Sequence, residues 1–190
     1  MSSQVLWQTV FDTLCGPDHP ARCFLYTHSV MVKDFCLEIM QRPHIAKRHH
    51  NADIQFITEA AMLHDIGIIY TDAHRIGCSG SAPYIRHGVL GRKILEEYGL
   101  RRHALVCERH VGSGLSKKII IERDMPLPHR DMSPRSFSEK LICYADCFFS
   151  KTKNAAGKKK SLEKVISGFS KYGQESVSAF LALHQYFGSF

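Results

Sequence analysis

Along this chain apolar residues recur at spacings of three and four, and strict alternation of apolar with polar residues is nearly absent. That period belongs to helices that bury one face, so the pattern predicts an all-α fold. Helices are expected over roughly 3–14, 21–41, 53–66, 86–98, 101–111, 115–122, 136–152, 160–169 and 173–187. Two stretches interrupt them. RIGCSGSAPY, residues 75–84, gathers Gly, Ser and Pro, and MPLPHRDMSP, residues 125–134, holds three prolines that preclude a regular helix. The basic segment SKTKNAAGKKKS, residues 150–161, reads as a connector into two C-terminal helices at about 160–188. Those helices are expected to cover a core spanning about 20–152, which makes residues 1–190 a single domain.

Several polar residues fall on the apolar stripes. In LYTHSVMVKDFCLEIM, His28 shares a face with Leu25, Val32, Phe35 and Ile39. His87 in RHGVLGRKILEEYG falls with Leu90, Gly91, Ile94, Leu95 and Tyr98, away from Arg92, Lys93, Glu96 and Glu97. His110 follows Val106 and Cys107 by four and three, and Asp146 follows Ile142 by four. The run AAMLHDIGIIY, residues 60–70, sets His64 and Asp65 side by side among apolar residues. A single inward histidine is ordinarily satisfied by a backbone carbonyl, and a single buried aspartate ordinarily caps a helix or pairs with arginine. Six such groups would need six separate partners, whereas one cluster of cations satisfies them together. Imidazole and carboxylate suit Fe, Mn, Zn, Ni or Mg, and four His with two Asp hold two ions when one carboxylate bridges.

Composition changes the picture little. With 44% hydrophobic and 23% charged residues the chain has an ordinary globular balance. The N-terminus lacks a basic start with an apolar core, and no run nears the roughly 18 apolar residues of a membrane span, so a cytoplasmic protein is expected. The seven cysteines include no C-x-x-C pair and read as reduced core thiols; Cys143 and Cys147, one turn apart, lack the companions of a zinc finger. The net charge of +7 favours an anionic ligand, but it sits in short clusters without a nucleic-acid-binding motif, and nucleic acid is set aside as a partner.

The ordered set of His28, His64 with Asp65, and Asp146 resembles the HD superfamily of metal-dependent phosphohydrolases, over about residues 20–185. MLHDIG is similar to a common form of its signature, and YAD in ICYADCFF resembles its final aspartate motif. RHGVLGRKIL with His87 and ERHVGSG with His110 resemble the extra histidines of the dinuclear branch. That branch includes bacterial symmetrical diadenosine tetraphosphate hydrolases and cyclic-dinucleotide phosphodiesterases; overall, the chain is similar to small stand-alone proteins of the HDIG type. The resemblance implies one ion on His28, His64, Asp65 and Asp146, and a second on His87, His110 and the bridging Asp65. It also implies catalysis centred on His64 and Asp65. No GYP follows the HD pair and no ED pair stands at the spacing of guanosine-tetraphosphate hydrolases, so both narrow substrate assignments are set aside.

Two ions would activate water against phosphorus in a small anionic substrate, a nucleotide above all. Candidate phosphate clamps are Arg86, Lys117, Lys118, Lys151 and Lys153, although for each a solvated surface charge is the commoner role. The GCSGSAPY loop offers a lid, an anion nest or a plain turn, and nothing fixes the direction of Arg130 and Asp131. The competing readings are a diiron oxygenase using the same ligands and a non-catalytic module that binds metal or nucleotide; a homodimer is the generic assembly.

Overall fold

The computed structural model of the protein describes residues 4–151 and 158–188. Helices α1 (Gln4–Leu14), α2 (Arg22–Met40), α3 (Pro43–Arg48), α4 (Ile54–Leu63), α5 (His87–Glu97) and α6 (Arg101–Arg109) come first. They are followed by α7 (Lys117–Glu122), α8 (Phe137–Asp146), α9 (Leu162–Ser170) and α10 (Gly173–Phe187). Strands β1 (Asp72–Ala73) and β2 (Cys78–Ser79) form one small antiparallel hairpin, pairing Asp72 with Ser79 and Ala73 with Cys78. The fold is all-α, as the apolar period predicts.

Local chemistry sets the boundaries. Asp53 accepts from the Phe56 amide at the start of α4, and Ser116 and Ser161 cap α7 and α9 in the same way. Ser136 and Glu139 bond reciprocally across the first turn of α8. After α5 the Gly99 amide donates to the Glu96 carbonyl at 3.0 Å and the Leu100 amide to the Leu95 carbonyl at 2.8 Å. This reversal needs φ near +75° at Gly99, which glycine adopts without steric cost, and it turns α6 back against α5.

Some boundaries differ from those the sequence pattern predicts. The expected helix at 53–66 stops at Leu63 and continues as a tight 3-10 turn over Ile66–Tyr70. The one expected at 136–152 stops at Asp146, and α3 begins on Pro43 where no helix was expected. Residues 75–84 form part of the small hairpin: the Gly80 amide donates to the Thr71 carbonyl and the Ala82 amide to the Tyr70 carbonyl. The proline-rich segment has no helix and is tied down where the Met132 amide donates to the Leu115 carbonyl at 2.8 Å.

Beside a small cluster that joins Ile120 of α7 to Leu127 and Met132, two large apolar clusters make most of the core. One joins Val32, Phe35 and Ile39 of α2 to Ile57 and Ala61 of α4, to α8, and to Phe180 and Phe187 of α10. The other joins α1, Leu25 of α2, Met62 and Leu63 of α4, the turn residues Ile66 and Ile68, and Cys107 of α6. Helices α2 and α4 thus run through both: His28 stands where α2 passes from one cluster to the other, and His64 follows the end of α4 within the second. The polar residues are held at a seam whose walls are rigid packing.

Candidate metal centre

His64 and Asp65 converge because the helix ends just before them. Successive residues of an α-helix point about 100° apart. With α4 ending at Leu63 and Asp65 at φ −104°, ψ 5°, both side chains are aimed at one point. There His28 Nε2 lies 2.9 Å from Asp146 Oδ1 and 3.2 Å from Asp65 Oδ2. His64 Nε2 lies 3.4 Å from Asp65 Oδ2 and 3.5 Å from Asp146 Oδ1. On the other side of Asp65, its Oδ1 is 3.1 Å from His110 Nε2 and 3.6 Å from His87 Nε2. His28, His64, Asp65 and Asp146 form one buried group of ligand atoms and Asp65, His87 and His110 a second, the atoms of each lying within 4.8 Å of one another.

Backbone carbonyls fix three of the four rings. His64 Nδ1 is 2.7 Å from the Ala61 carbonyl, His87 Nδ1 is 2.8 Å from that of Tyr84, and His110 Nδ1 is 2.8 Å from that of Cys107. A carbonyl only accepts, so each Nδ1 carries a proton, and the two rings that burial keeps neutral, His87 and His110, present a bare Nε2. The carbonyls of Ala61 and Cys107 are free for this because α4 and α6 end within two residues of them. Second-sphere bonds of this kind orient histidine ligands in metal sites.

Charge on the cluster is divided. Burial favours a neutral His87 and the Lys151 ammonium reinforces it, holding its pKa down to about 3; burial also lowers that of His110. Burial acts the same way on His64, but the Asp65 and Asp146 carboxylates outweigh it and hold the pKa up to about 9. Burial opposes ionisation of Asp65 and Asp146, yet Lys151 and the surrounding imidazoles keep both well below the usual carboxylate range. Lys151 Nζ lies 3.0 and 2.9 Å from the two Asp65 oxygens and 3.2 Å from Asp146 Oδ2.

The neutral rings of His87 and His110 direct their Nε2 atoms at each other across 3.2 Å. Two lone pairs facing at that distance in a buried site repel unless a cation lies between them and Asp65. Among the described residues the buried His64 Nε2 and His28 Nδ1 also lack a hydrogen-bond partner. Nitrogen and carboxylate donors so disposed fit first-row divalent ions.

Two cavities lie beside the cluster, one meeting it through Lys151 and the other through His28. One of about 500 Å³ is lined by Asp72, His74, Arg75, Ile76, Tyr84 and Lys151. The other, of about 340 Å³, has His28, Phe24, Cys23, Thr27 and Met31 in its wall and shares Ile76 with the first. Asp72, His74, Arg75 and Tyr84 were not singled out by sequence reasoning; the available signal was polar and aromatic residues flanking the Gly-rich stretch between the HD pair and His87. Of the candidate clamps, Lys151 touches the cluster, and Arg86 precedes His87 with its buried Nε meeting no hydrogen-bond partner among the described residues. Lys117 and Lys118 stand exposed on α7, where Lys118 faces Glu122 at 3.9 Å. Lys153 lies outside the described residues. Arg130 turns onto the buried Glu108, and Asp131 accepts from Ser133 and Arg135. Cys143 and Cys147 each direct Sγ at the Gly112 carbonyl, 3.4 Å away, and belong to neither ligand group. Among the described residues no helix is long and apolar enough to cross a membrane.

Comparison with known proteins agrees with this geometry. An uncharacterized protein of Methanocaldococcus jannaschii is 30% identical over 145 residues, covering 76% of this chain and 74% of that protein. A tRNA (cytidine(56)-2'-O)-methyltransferase of Thermoplasma volcanium is 28% identical over 165 residues, 86% of this chain but 41% of that protein. The enzyme of the same name from Picrophilus torridus is 28% identical over 95 residues, 50% of this chain and 24% of its own length. The chain thus spans less than half of either methyltransferase, and no solved structure matches it. The model of the HD domain matches residues 25–149, a span that contains all six clustered His and Asp residues, and the chain belongs to that family.

Proposed function

We propose that the protein is a metal-dependent phosphohydrolase that uses two divalent ions to cleave a phosphate ester or anhydride in a small anionic substrate. The observation that carries this reading is the sharing of Asp65 between two buried ligand groups, with bare imidazole nitrogens facing each other in the second. His28, His64, Asp65 and Asp146 would hold one ion, and His87, His110 and Asp65 the other. Bound there, such ions lower the pKa of water and offset the charge that develops on phosphoryl oxygens.

The chain's own residues position and shield. The Nδ1 bonds of His64, His87 and His110 hold the rings in one orientation, so ligand geometry is set before substrate arrives. Burial of the cluster leaves the two cavities as its approaches and keeps bulk water from competing for the phosphoryl group. Lys151 and Arg75 supply cations along the larger cavity, where they can take phosphate oxygens. In the smaller one the Phe24 ring lies parallel to that of His28 with centroids 6.3 Å apart, and Met31 and Cys23 add apolar wall suited to the base of a nucleotide.

Elemental analysis of protein purified without chelator, beside His87→Ala, tests the reading. About two first-row ions per chain, falling towards one in the variant, are expected. Essentially none after incubation with Mn, Fe or Zn would refute it and leave a metal-free binding module. Hydrolysis of model phosphodiesters and nucleotides by the Mn-loaded protein without oxygen is also expected, whereas a strict need for iron and oxygen would favour an oxygenase.

A further inference from the structure

Lys151 is placed to serve two anions in turn. Its ammonium lies about as near to the shared carboxylate as any imidazole does, at 3.0 and 2.9 Å from the Asp65 oxygens, and it reaches Asp146 Oδ2 at 3.2 Å. These are the carboxylates of the first ligand group, and Asp65 is common to both groups. The same side chain also lines the 500 Å³ cavity beside Tyr84 and Arg75. It lies outside any helix, so no helical turn restricts its rotamers.

We propose that Lys151 competes with divalent ions for Asp65 and Asp146, and that ion binding turns its ammonium into the cavity to grip the phosphoryl group. The inference rests on the hydrolytic reading above. An ion coordinated to these oxygens at about 2.0–2.2 Å would stand within roughly 4 Å of an ammonium that also touches them. Two cations at that separation repel in a buried site, and the one on a flexible stem moves. The cavity that Lys151 already lines receives it, and a phosphate oxygen there replaces the carboxylates it leaves. A lysine with a merely structural ion pair would stabilise the fold without opposing ions or helping phosphate.

The test is a Mn²⁺ titration of wild type and Lys151→Met, followed by a titration of each Mn-loaded protein with inorganic phosphate. The expected result is Mn²⁺ binding at least fivefold tighter in the variant and phosphate binding at least tenfold weaker. Lys151→Arg keeps the charge and preserves the pairing that supports the fold. Its planar fork should hold both carboxylates more firmly, so Mn²⁺ should bind at least fivefold more weakly than to wild type. Unchanged Mn²⁺ affinity in a folded Met or Arg variant, or unchanged phosphate affinity in Lys151→Met, overturns the proposal. Failure of wild type itself to bind Mn²⁺ overturns instead the metal-centre reading on which it rests.

Discussion

Gly67, two residues after Asp65, is where the fold and the candidate site depend on a single hydrogen atom. A methyl group there would meet the His87 carbonyl oxygen at 2.1 Å, the Gly91 amide nitrogen at 2.3 Å and the Gly91 Cα at 2.9 Å. All three are backbone, so no side chain can swing away. To reach ordinary contact, near 3.4 Å or beyond, α5 must separate from the 3-10 turn by more than 1 Å, and α5 begins with His87. Overpacking a well-filled interior costs about 1–3 kcal/mol, and a rigid backbone obstacle puts Gly67→Ala at the upper end, about 3 kcal/mol. Moving His87 also separates its Nε2 from Asp65 Oδ1, now 3.6 Å away, so the second ion should be lost while the first is kept. Urea unfolding gives the cost, and elemental analysis beside wild type gives the ion count. Gly168 of α9 is the control: a methyl there meets nothing within 4 Å, so Gly168→Ala should stabilise by about 0.5–1 kcal/mol. An unchanged urea midpoint with a full ion complement in Gly67→Ala would refute the claim that this close approach positions His87.

Three further outcomes follow from the geometry. In metal-free protein, His87 has a folded pKa of about 3 against an ordinary 6.5, so the stability it contributes is present above 6.5 and is lost as pH falls towards 3. His64, at about 9, has the opposite sign: its contribution is present below 6.5 and is lost as pH rises through 9. Urea midpoints of metal-free protein should therefore peak near pH 6.5, and a steady rise from about pH 5 to 9 would contradict both assignments. The Glu108 carboxylate, 1% exposed, accepts from Arg92 at 2.5 Å and from Arg130 of the proline-rich segment. Glu108→Ala leaves two arginines that water can reach, so it should cost only about 1–2 kcal/mol, and it should open residues 125–134 to limited proteolysis; a wild-type cleavage pattern would show that the pairing does not hold that segment. Ser136→Ala removes the cap of α8 and should cost about 1 kcal/mol in urea unfolding, with ion content unchanged because Asp146 lies at the far end of the helix.

What the sequence made legible was the set of directions, because a helical stripe reports which residues face inward. His28 shares its face with Leu25 and Val32, and all three are buried in α2. Where the chain abandons the α-helix was hidden, and that is where the cluster is made. An uninterrupted helix over 53–66 would send His64 and Asp65 in directions about 100° apart. Their adjacency, together with the inward facing of both, required a break that the apolar run MLHDIGIIY does not advertise. The break also frees the Ala61 carbonyl to orient His64, so helix ending and ligand orientation are one event. The hairpin of Asp72–Ala73 and Cys78–Ser79 was unreadable for a different reason: two-residue strands are too short to show alternation. Lys151 is one of the cations the sequence offers, but its reach onto Asp65 depends on α8 ending at Asp146 rather than running to 152. Continued helix would carry Lys151 about 140° around the axis from Asp146, beyond convergence on the same oxygens. The chemistry was therefore visible in residue types, and its geometry was set at helix ends, where periodicity stops carrying information.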